Sequence, residues 1–463
     1  MTFEWARNAP NVVLVILLIS AVSFSVLTCP LLAVDAEWTQ LVKHGQELQA
    51  QGRYTDAESS FQSAMNRANE IAEPIQQANS LYQLASMKQI LGDYRGAEVL
   101  YRHALEICDR HSAPWLRAVI LLNDARLEAA EGQFQEAGKM AGESLVLSRS
   151  LYGSNHPSVA DALDAVAWIQ IRLGNYHAAA SALSEALAIM ENAGPGNQLE
   201  IAAMLSDQGY LQFCLGRYPE AEVSYRRALE MRRAVLSPNH PDLTDSLLRL
   251  GELYRVQHQL SRAGEMFEQA IPKLRASLGE EHPRVANALN SLAVLYCDEG
   301  RTSEAKPLLE QSVRIYSKFF GNEHYQLAGV LSNLALIETA HHEYRDAEGT
   351  YTRAISIEQK ALGSENPTIA AMLENLAQIY RFEKRYDDAE KAYQRAIDIL
   401  DHTVDDDHPE LISCLTNYAH LLRKTHHKKQ AIAIEARLKQ VSPSQAHTAA
   451  MNSLVDWHQL REH

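Results

Sequence analysis

The chain repeats two apolar stripes, each with the spacing of a helix, along nearly its whole length. In one representative segment, Leu289, Leu292, Ala293 and Tyr296 stand at positions i, i+3, i+4 and i+7. This spacing places apolar side chains on one face of a helix. A second stripe of Ala, aromatic and Ala follows at i, i+4 and i+7, as in the run that begins at Ala347. The pattern therefore predicts pairs of amphipathic helices separated by polar breaks.

The two stripes recur at a fixed period, which is marked by one alanine in each of ten units. These alanines are Ala57, Ala97, Ala137, Ala179, Ala221, Ala263, Ala305, Ala347, Ala389 and Ala431. The interval between them is constant from Ala137 onward, and a leucine stands at one fixed distance before each alanine, as Leu289 does before Ala305. A single helical hairpin cannot bury both of its apolar faces, so repeated hairpins stack on one another. The period therefore predicts an all-α solenoid of about ten repeats.

Short turn signals separate the helices within and between these units. A Gly-x-aromatic break follows the first helix in many units, as in Gly52-Arg53-Tyr54 and Gly92-Asp93-Tyr94. The first helices often open at a corner, which is His156-Pro157, His240-Pro241, His282-Pro283, His324-Tyr325, Asn366-Pro367 or His408-Pro409. Proline suits the first turn of a helix, and the glycine just upstream, such as Gly279, suits a left-handed cap of the preceding helix. Each corner histidine is therefore expected to be a loop residue at a helix start.

These features together resemble the tetratricopeptide repeat, and most of all the repeats of kinesin light chains. The resemblance lies in the long constant period, the "HP" corners and the segments "LNSLAVLY", "LSNLALI" and "LENLAQIY". It implies a right-handed α-α superhelix over residues 37–440 and a polypeptide partner held on the concave wall of the first helices. Kinesin light chains carry a long heptad segment before their repeats, whereas this chain carries a hydrophobic leader. An intracellular cargo adaptor like kinesin light chain would require that leader to be neither a signal nor an anchor.

Both ends of the chain differ from the repeats between them. Residues 12–33 contain no charged side chain, and a stretch of this length can span a bilayer. Val34-Asp35-Ala36 offers a small-residue cleavage site directly before the first repeat. We therefore expect residues 1–36 to be a signal peptide or an N-terminal membrane anchor, with the array outside the cytoplasm. Residues 441–463 are expected to form a capping helix, which begins after the break at Ser442-Pro443.

The sequence favours an interaction scaffold over an enzyme. It contains no Gly-x-Ser-x-Gly, His-Glu-x-x-His or phosphate-binding Gly-x-x-x-x-Gly-Lys motif. Stacked helices lie about 10 Å apart, so the corner histidines of successive units are too far apart to share a zinc ion. We therefore expect no catalytic residue, cofactor or metal, although an accessory subunit of an enzyme or secretion complex is a further class. The formal net charge of −15 argues against nucleic acid, and it leaves the leader as the one expected membrane contact.

The inner wall of the superhelix is the expected binding surface. If the unit's leucine is position 0, that wall receives positions −2, +1, +2, +5, +8 and +9 of each first helix. Units 4 to 6 place aromatic and charged side chains there, namely Trp168, Arg172, Asp207, Tyr210, Phe213, Arg249 and Arg255. Aromatic residues ringed by charges are typical of interface hot spots. The alternative is that Trp168 and Phe213 pack under neighbouring repeats.

Three asparagines occupy position +2 in units 8 to 10, namely Asn333, Asn375 and Asn417. The resemblance implies that asparagine at this position holds the backbone of an extended peptide. An amide suits that role because it offers both a donor and an acceptor. The alternative is that the three asparagines are polar residues on a hydrated face.

The cysteines predict free thiols within the array. Cys108, Cys214, Cys297 and Cys414 fall in units 2, 5, 7 and 10, so no two are in adjacent units. A disulfide needs Cα atoms within about 7 Å. We therefore expect four free thiols in the folded monomer.

Overall fold

The computed structural model describes residues 35–194 and 196–440, and these contain twenty α-helices and no strand. The helices are α1 (Ala36–Ala50), α2 (Tyr54–Glu70), α3 (Pro74–Ile90), α4 (Tyr94–Arg110), α5 (Pro114–Ala130), α6 (Phe134–Tyr152), α7 (Pro157–Arg172), α8 (Tyr176–Asn192), α9 (Gln198–Cys214), α10 (Tyr218–Val235), α11 (Pro241–Val256), α12 (Leu260–Leu278), α13 (Pro283–Asp298), α14 (Thr302–Phe320), α15 (Gln326–Ala340), α16 (Tyr344–Leu362), α17 (Pro367–Phe382), α18 (Tyr386–Thr403), α19 (Pro409–Lys424) and α20 (Lys428–Leu438). Consecutive pairs form repeats 1 to 10, which confirms the all-α superhelix. The predicted leader segment at 12–33 and the capping helix at 441–463 lie outside the described residues.

Small residues let the two helices of each repeat approach closely. All ten repeat alanines are 0% exposed, which places them at the helix–helix contact predicted for them. Four positions after the repeat leucine, only Gly or Ala occurs. A Cβ added to Gly251 would lie 2.4 Å from the ring of Phe267, and one added to Gly209 would lie 2.6 Å from Tyr225. In these repeats the aromatic residue of the second helix therefore packs directly against the backbone of the first.

Helix ends follow the turn signals with one difference. His156, His240, His282, Asn366 and His408 each cap a first helix, because each side chain accepts a hydrogen bond from the backbone N–H two positions later. The glycines that end the preceding helices have positive φ, as predicted. Their ψ, however, is extended rather than helical, as the φ of 86° and ψ of 164° at residue 279 show. The prediction of a left-handed helical cap is therefore wrong, and this positive-φ extended region is accessible almost only to glycine.

The odd-numbered helices form the inner wall of the superhelix. Each odd-numbered helix from α3 to α17 contacts the next odd-numbered helix. Each even-numbered helix from α2 to α18 packs against the odd-numbered helices before and after it. The array therefore curves towards the odd-numbered helices. No helix within residues 35–194 and 196–440 is both long and apolar enough to cross a membrane.

The superhelix returns to contact itself after five repeats, along a contact that we call the seam. Here each repeat from 6 to 10 contacts the repeat five places earlier in the chain. The corner at the start of its first helix lies on the end of the first helix of that earlier repeat. Four hydrogen bonds join side chains to carbonyl oxygens: His282 to Ile90 (3.0 Å), His324 to Ala130 (2.9 Å), Asn366 to Arg172 (2.7 Å) and His408 to Cys214 (2.6 Å). At the remaining corner, which opens repeat 6, the ring of His240 packs edge-on against the ring of Tyr54 in repeat 1, with 6.4 Å between centroids.

The corner side chains of repeats 6 to 10 are therefore buried rather than exposed loop residues. Their exposed fractions run from 2% at Asn366 to 8% at His324. Their place at helix starts agrees with the sequence. Their contact with a repeat far earlier in the chain, which is a second hydrogen bond at four corners and a ring contact at His240, was not predicted. The histidines thus join the two turns of the superhelix.

The turn between the two helices of a repeat differs between the halves of the chain. In repeats 1 to 5 this turn contains Gly52, Gly92, Gly132, Gly174 and Gly216, and in repeats 6 to 10 it contains His258, Gly300, His342, Lys384 and His426. All ten residues have positive φ. A Cβ added at Gly216 would lie 2.4 Å from Cδ of Pro409, whereas one added at Gly300 would have nothing within 4 Å. In repeats 2 to 5 a side chain at this position would collide with a corner or ring across the seam, whereas at Gly52 the nearest atom would be 3.5 Å away.

We expect Gly216→Ala to destabilise the protein more than Gly300→Ala. Both substitutions place alanine at positive φ, with φ values of 70° and 76°, so both carry a similar backbone penalty of about 1–2 kcal/mol. Gly216→Ala must also displace the ring of Pro409, and overpacking of this kind costs about 1–3 kcal/mol. Urea unfolding followed by circular dichroism would measure the difference. Equal losses of stability in the two variants would contradict the close contact at the seam.

Candidate functional site

All the candidate binding residues lie on the odd-numbered helices. The helix α7 carries Trp168 and Arg172, α9 carries Asp207, Tyr210 and Phe213, α11 carries Arg249 and Arg255, and α15, α17 and α19 carry Asn333, Asn375 and Asn417. Because stacking places these helices side by side, equivalent positions form rows along the inner wall.

Four of them form a continuous group across repeats 4 to 6, which we call the central cluster: Arg172, Asp207, Tyr210 and Arg249. The Arg172 guanidinium donates a hydrogen bond of 3.2 Å to the Tyr210 hydroxyl. From the next repeat, the Arg249 guanidinium carbon lies 5.2 Å from the centroid of the Tyr210 ring. Its Nη2 atom lies 3.4 Å from Oδ1 of Asp207. All four side chains are half-buried, so they are ordered by each other and still reach solvent.

The other three candidates of units 4 to 6 have contacts elsewhere. The ring of Trp168 lies 6.1 Å from that of Phe134 in repeat 3, and the ring of Phe213 lies 5.7 Å from that of Tyr218. Arg255 is held by two carboxylates, because it lies 3.0 Å from Glu252 and 2.9 Å from Asp298. These contacts belong to the fold itself, and a role for the three side chains in binding stays a prediction.

The three asparagines also make contacts within the fold. The side-chain amide of Asn333 donates to Asn290 at 2.8 Å, and that of Asn417 donates to Glu374 at 2.7 Å. Asn375 is only 8% exposed. A peptide backbone would have to replace these hydrogen bonds to use the amides, and the peptide-holding role of the asparagines stays a prediction.

Carboxyl groups with raised pKa values lie next to the central cluster. Burial raises the pKa of Asp161 to about 7 and holds the pKa of Asp164 well above its usual range. The Oδ1 atom of Asp164 is buried without a hydrogen-bond partner among the described residues, and Arg126 lies 4.0 Å from its Oδ2. Burial also raises the pKa of Asp207. The wall thus combines arginines with buried carboxyl groups, and both kinds of side chain can hydrogen-bond to a polar chain.

The structure offers no arrangement suited to metal binding or thiol chemistry in the part of the chain that it describes. No group of three or more His, Cys, Asp or Glu side chains there could hold a metal ion. Cys108, Cys214, Cys297 and Cys414 are free thiols. Burial raises the pKa of Cys214, the cysteine nearest the central cluster, to about 12. Its thiol is therefore neutral and a poor nucleophile at physiological pH.

Comparisons with solved structures find other proteins built from helical repeats. One of them is a structure of nearly identical TPR-like repeats, assigned to a kinesin light chain of Podosopora anserina. Another is BtubC (BKLC) of P. vanneervenii. The first is 25% identical with a TM-score of 0.36 and covers 43% of this chain and 95% of its own. The second is 23% identical with a TM-score of 0.35 and covers 55% of this chain and 93% of its own.

A third similar structure covers more of the chain. It is a Rap protein in complex with competence and sporulation factor, with 14% identity and a TM-score of 0.55 over 78% of this chain and 97% of its own. It therefore shares the fold. No curated protein matches the sequence.

Sequence profiles identify the family directly. The tetratricopeptide repeat profile matches residues 37–110, 116–192, 200–276, 243–318, 284–360 and 368–438, and a second profile of the same repeat matches residues 333–402. These segments include nearly all the residues that form the twenty helices. The chain belongs to the tetratricopeptide repeat family.

Proposed function

We propose that this protein binds another polypeptide along the inner wall of its superhelix, with the central cluster as the main contact. A tetratricopeptide repeat array is typically a non-catalytic scaffold suited to protein–protein interaction. The inner wall with its central cluster is the surface that would perform this role. The acidic net charge of −15 makes a protein or peptide a better partner than nucleic acid or an anionic membrane surface.

The contact chain from Arg172 through Tyr210 to Arg249 is the observation that carries the proposal. Arginine and tyrosine are enriched among the few residues that supply most of the energy of an interface. Here they come from three successive repeats, so one bound segment can touch all of them. Their mutual contacts also hold them in place before binding, which lowers the entropy lost when a partner is bound.

We expect Arg249→Ala to weaken partner binding at least tenfold, which corresponds to about 1.4 kcal/mol, a conservative loss for an arginine at the centre of an interface. The partner is first captured from the native extract with the wild-type protein. Once identified, it is titrated against the purified wild-type protein and the variant. Circular dichroism checks that the variant keeps its helix content.

Arg301→Ala is the matched control for this substitution. Arg301 also stacks on a tyrosine, Tyr296, at 3.9 Å, and it also pairs with carboxylates, Glu299 and Glu304. It lies, however, in the turn between α13 and α14 rather than on the inner wall. Undiminished affinity of Arg249→Ala, or equal losses in Arg249→Ala and Arg301→Ala, would contradict the central cluster as the binding site.

We further propose that the protein is exported or anchored through its N-terminal segment. The uncharged stretch at 12–33 supports this proposal, because its length suits a bilayer and a cleavage site follows it. A C-terminally tagged protein should appear in the membrane or extracytoplasmic fraction, and a variant without residues 1–34 should stay in the cytosol. Recovery of the full-length protein in the cytosol would contradict export and anchoring.

A further inference from the structure

We propose that the seam is a latch that opens on mild acidification and separates the two turns of the superhelix while the repeats stay folded. The seam joins parts of the chain that are five repeats apart, and histidine supplies four of its five corners.

Three of the histidines use both ring nitrogens. In His282, Nδ1 accepts a hydrogen bond of 3.1 Å from the N–H of Arg284, and Nε2 lies 3.0 Å from the carbonyl oxygen of Ile90. A backbone N–H can only donate and a carbonyl oxygen can only accept, so the ring is neutral with its proton on Nε2. His324 and His408 have the same two contacts. A proton added to Nδ1 would abolish the helix cap and point one N–H group at another.

The surroundings of His324 and His282 oppose protonation. The ring of His324 stacks on Phe320 with centroids 3.9 Å apart, and burial lowers the pKa of His324 to about 4. Burial also lowers the pKa of His282, although its hydrogen bond to the Ile90 carbonyl acts in the opposite direction. The charged groups that act on His282 are Arg284 and Asp245, and their effects have opposite signs.

The remaining two corners have carboxylates nearby. Burial lowers the pKa of His240, against the attraction of Asp242, whose Oδ2 lies 3.7 Å from Nδ1. Asp245 adds to this attraction, and Arg284 and Arg232 oppose it.

At the corner of His408, the nearby carboxyl group is that of Glu410, whose backbone N–H donates to Nδ1 of His408. Burial raises the pKa of the Glu410 carboxyl group. The exposed pair Arg217–Asp405 crosses the seam close by, at 3.5 Å. One such exposed pair adds little to the strength of the seam.

The sign of the pH effect follows from these shifts. A histidine whose pKa is lower in the closed seam than its usual value of about 6.5 takes up a proton when the seam opens. Its contribution to closure is therefore complete above about pH 6.5 and is lost as the pH falls towards its pKa in the closed state. For His324 that window extends down to about pH 4.

The buried carboxyl groups act in the opposite direction. Burial raises the pKa of both Asp161 and Glu374 to about 7. Acidification therefore favours the folded state at these two positions, because their neutral forms suit burial. Opening on acidification consequently points to the histidines and not to these carboxyl groups.

Opening need not unfold the repeats, because most of the packing of each repeat is within its own helix pair and against its immediate neighbours. Ring contacts that cross the seam, such as Phe134–Tyr325 with centroids 5.2 Å apart, would be lost on opening. The seam also touches the central cluster. The carbonyl oxygen of Arg172 accepts a hydrogen bond from the side chain of Asn366, and the guanidinium carbon of Arg172 lies 5.4 Å from the ring centroid of Tyr325. An open seam would thus free one member of the cluster and widen access to the inner wall. This consequence for binding depends on the proposed function, whereas the opening itself does not.

One corner of the seam, that of repeat 9, already uses a side chain that does not titrate. Asn366 accepts a hydrogen bond of 3.1 Å from the N–H of Thr368 and donates one of 2.7 Å to the carbonyl of Arg172. An asparagine can therefore make both bonds of a corner. The test variant replaces the four other corner residues, His240→Asn, His282→Asn, His324→Asn and His408→Asn, and should keep the seam without its pH response.

The experiment follows the radius of gyration by small-angle X-ray scattering between pH 8 and pH 5, with helix content measured by circular dichroism on the same samples. For the wild-type protein the radius should rise reversibly by roughly a tenth or more below pH 6.5, as two stacked turns of a solenoid separate. Helix content should stay constant. The fourfold variant should keep its pH 8 radius throughout.

Three results would overturn the latch. These are a constant radius in the wild-type protein, equal expansion in both proteins, and a loss of helix content that accompanies the expansion. If the fourfold variant does not fold at pH 8, His324→Asn alone should move the transition to lower pH. His103→Asn, at an exposed position on α4, should leave it unchanged. Identical transitions in these two single variants would overturn the proposal as well.

Discussion

The close approach of two helix backbones within each repeat is the constraint on which this structure depends. An alanine of the second helix is fully buried in all ten repeats, and only Gly or Ala occurs four positions after the leucine of the first helix. At Gly251 even one methyl group would overlap the ring of Phe267. This contact fixes the geometry of each hairpin. Ten nearly identical hairpins then fix the curvature of the array, and curvature brings the sixth repeat back to the first.

The parts of the fold that depend on local contacts could be predicted from the sequence. The constant repeat period and the helical spacing around Leu289 indicated the helix pairs, and the prolines at helix starts indicated their boundaries. The seam could not be predicted in this way, because its partners lie five repeats apart in the chain. One signal was nevertheless present. Gly-x-aromatic turns occur in repeats 1 to 5 only, and five successive His or Asn corners occur in repeats 6 to 10.

The candidate site was predictable in position but not in its contacts. Counting from the repeat leucine correctly placed Arg172, Tyr210 and Arg249 on the first helices of repeats 4 to 6. It could not show that Trp168 turns towards Phe134 in the preceding repeat, because a ring at this position can pack against either neighbour. The hydrogen bonds of Asn333 and Asn417 depend on which polar groups stand opposite them, and a repeat pattern does not contain that information.

The turns of the second half also determine where self-contact stops. His258, His342, Lys384 and His426 carry side chains at the position where a corner of a further turn would have to sit. At the opposite edge, Glu73 and Ala113 stand at the helix starts of repeats 2 and 3, in place of the histidines that complete the seam in later repeats. At these positions the two edges are not complementary, so a second copy could not repeat the contacts of the seam there. Gly300 and the corner His156-Pro157 are the exceptions, because each keeps the residue type that the seam uses.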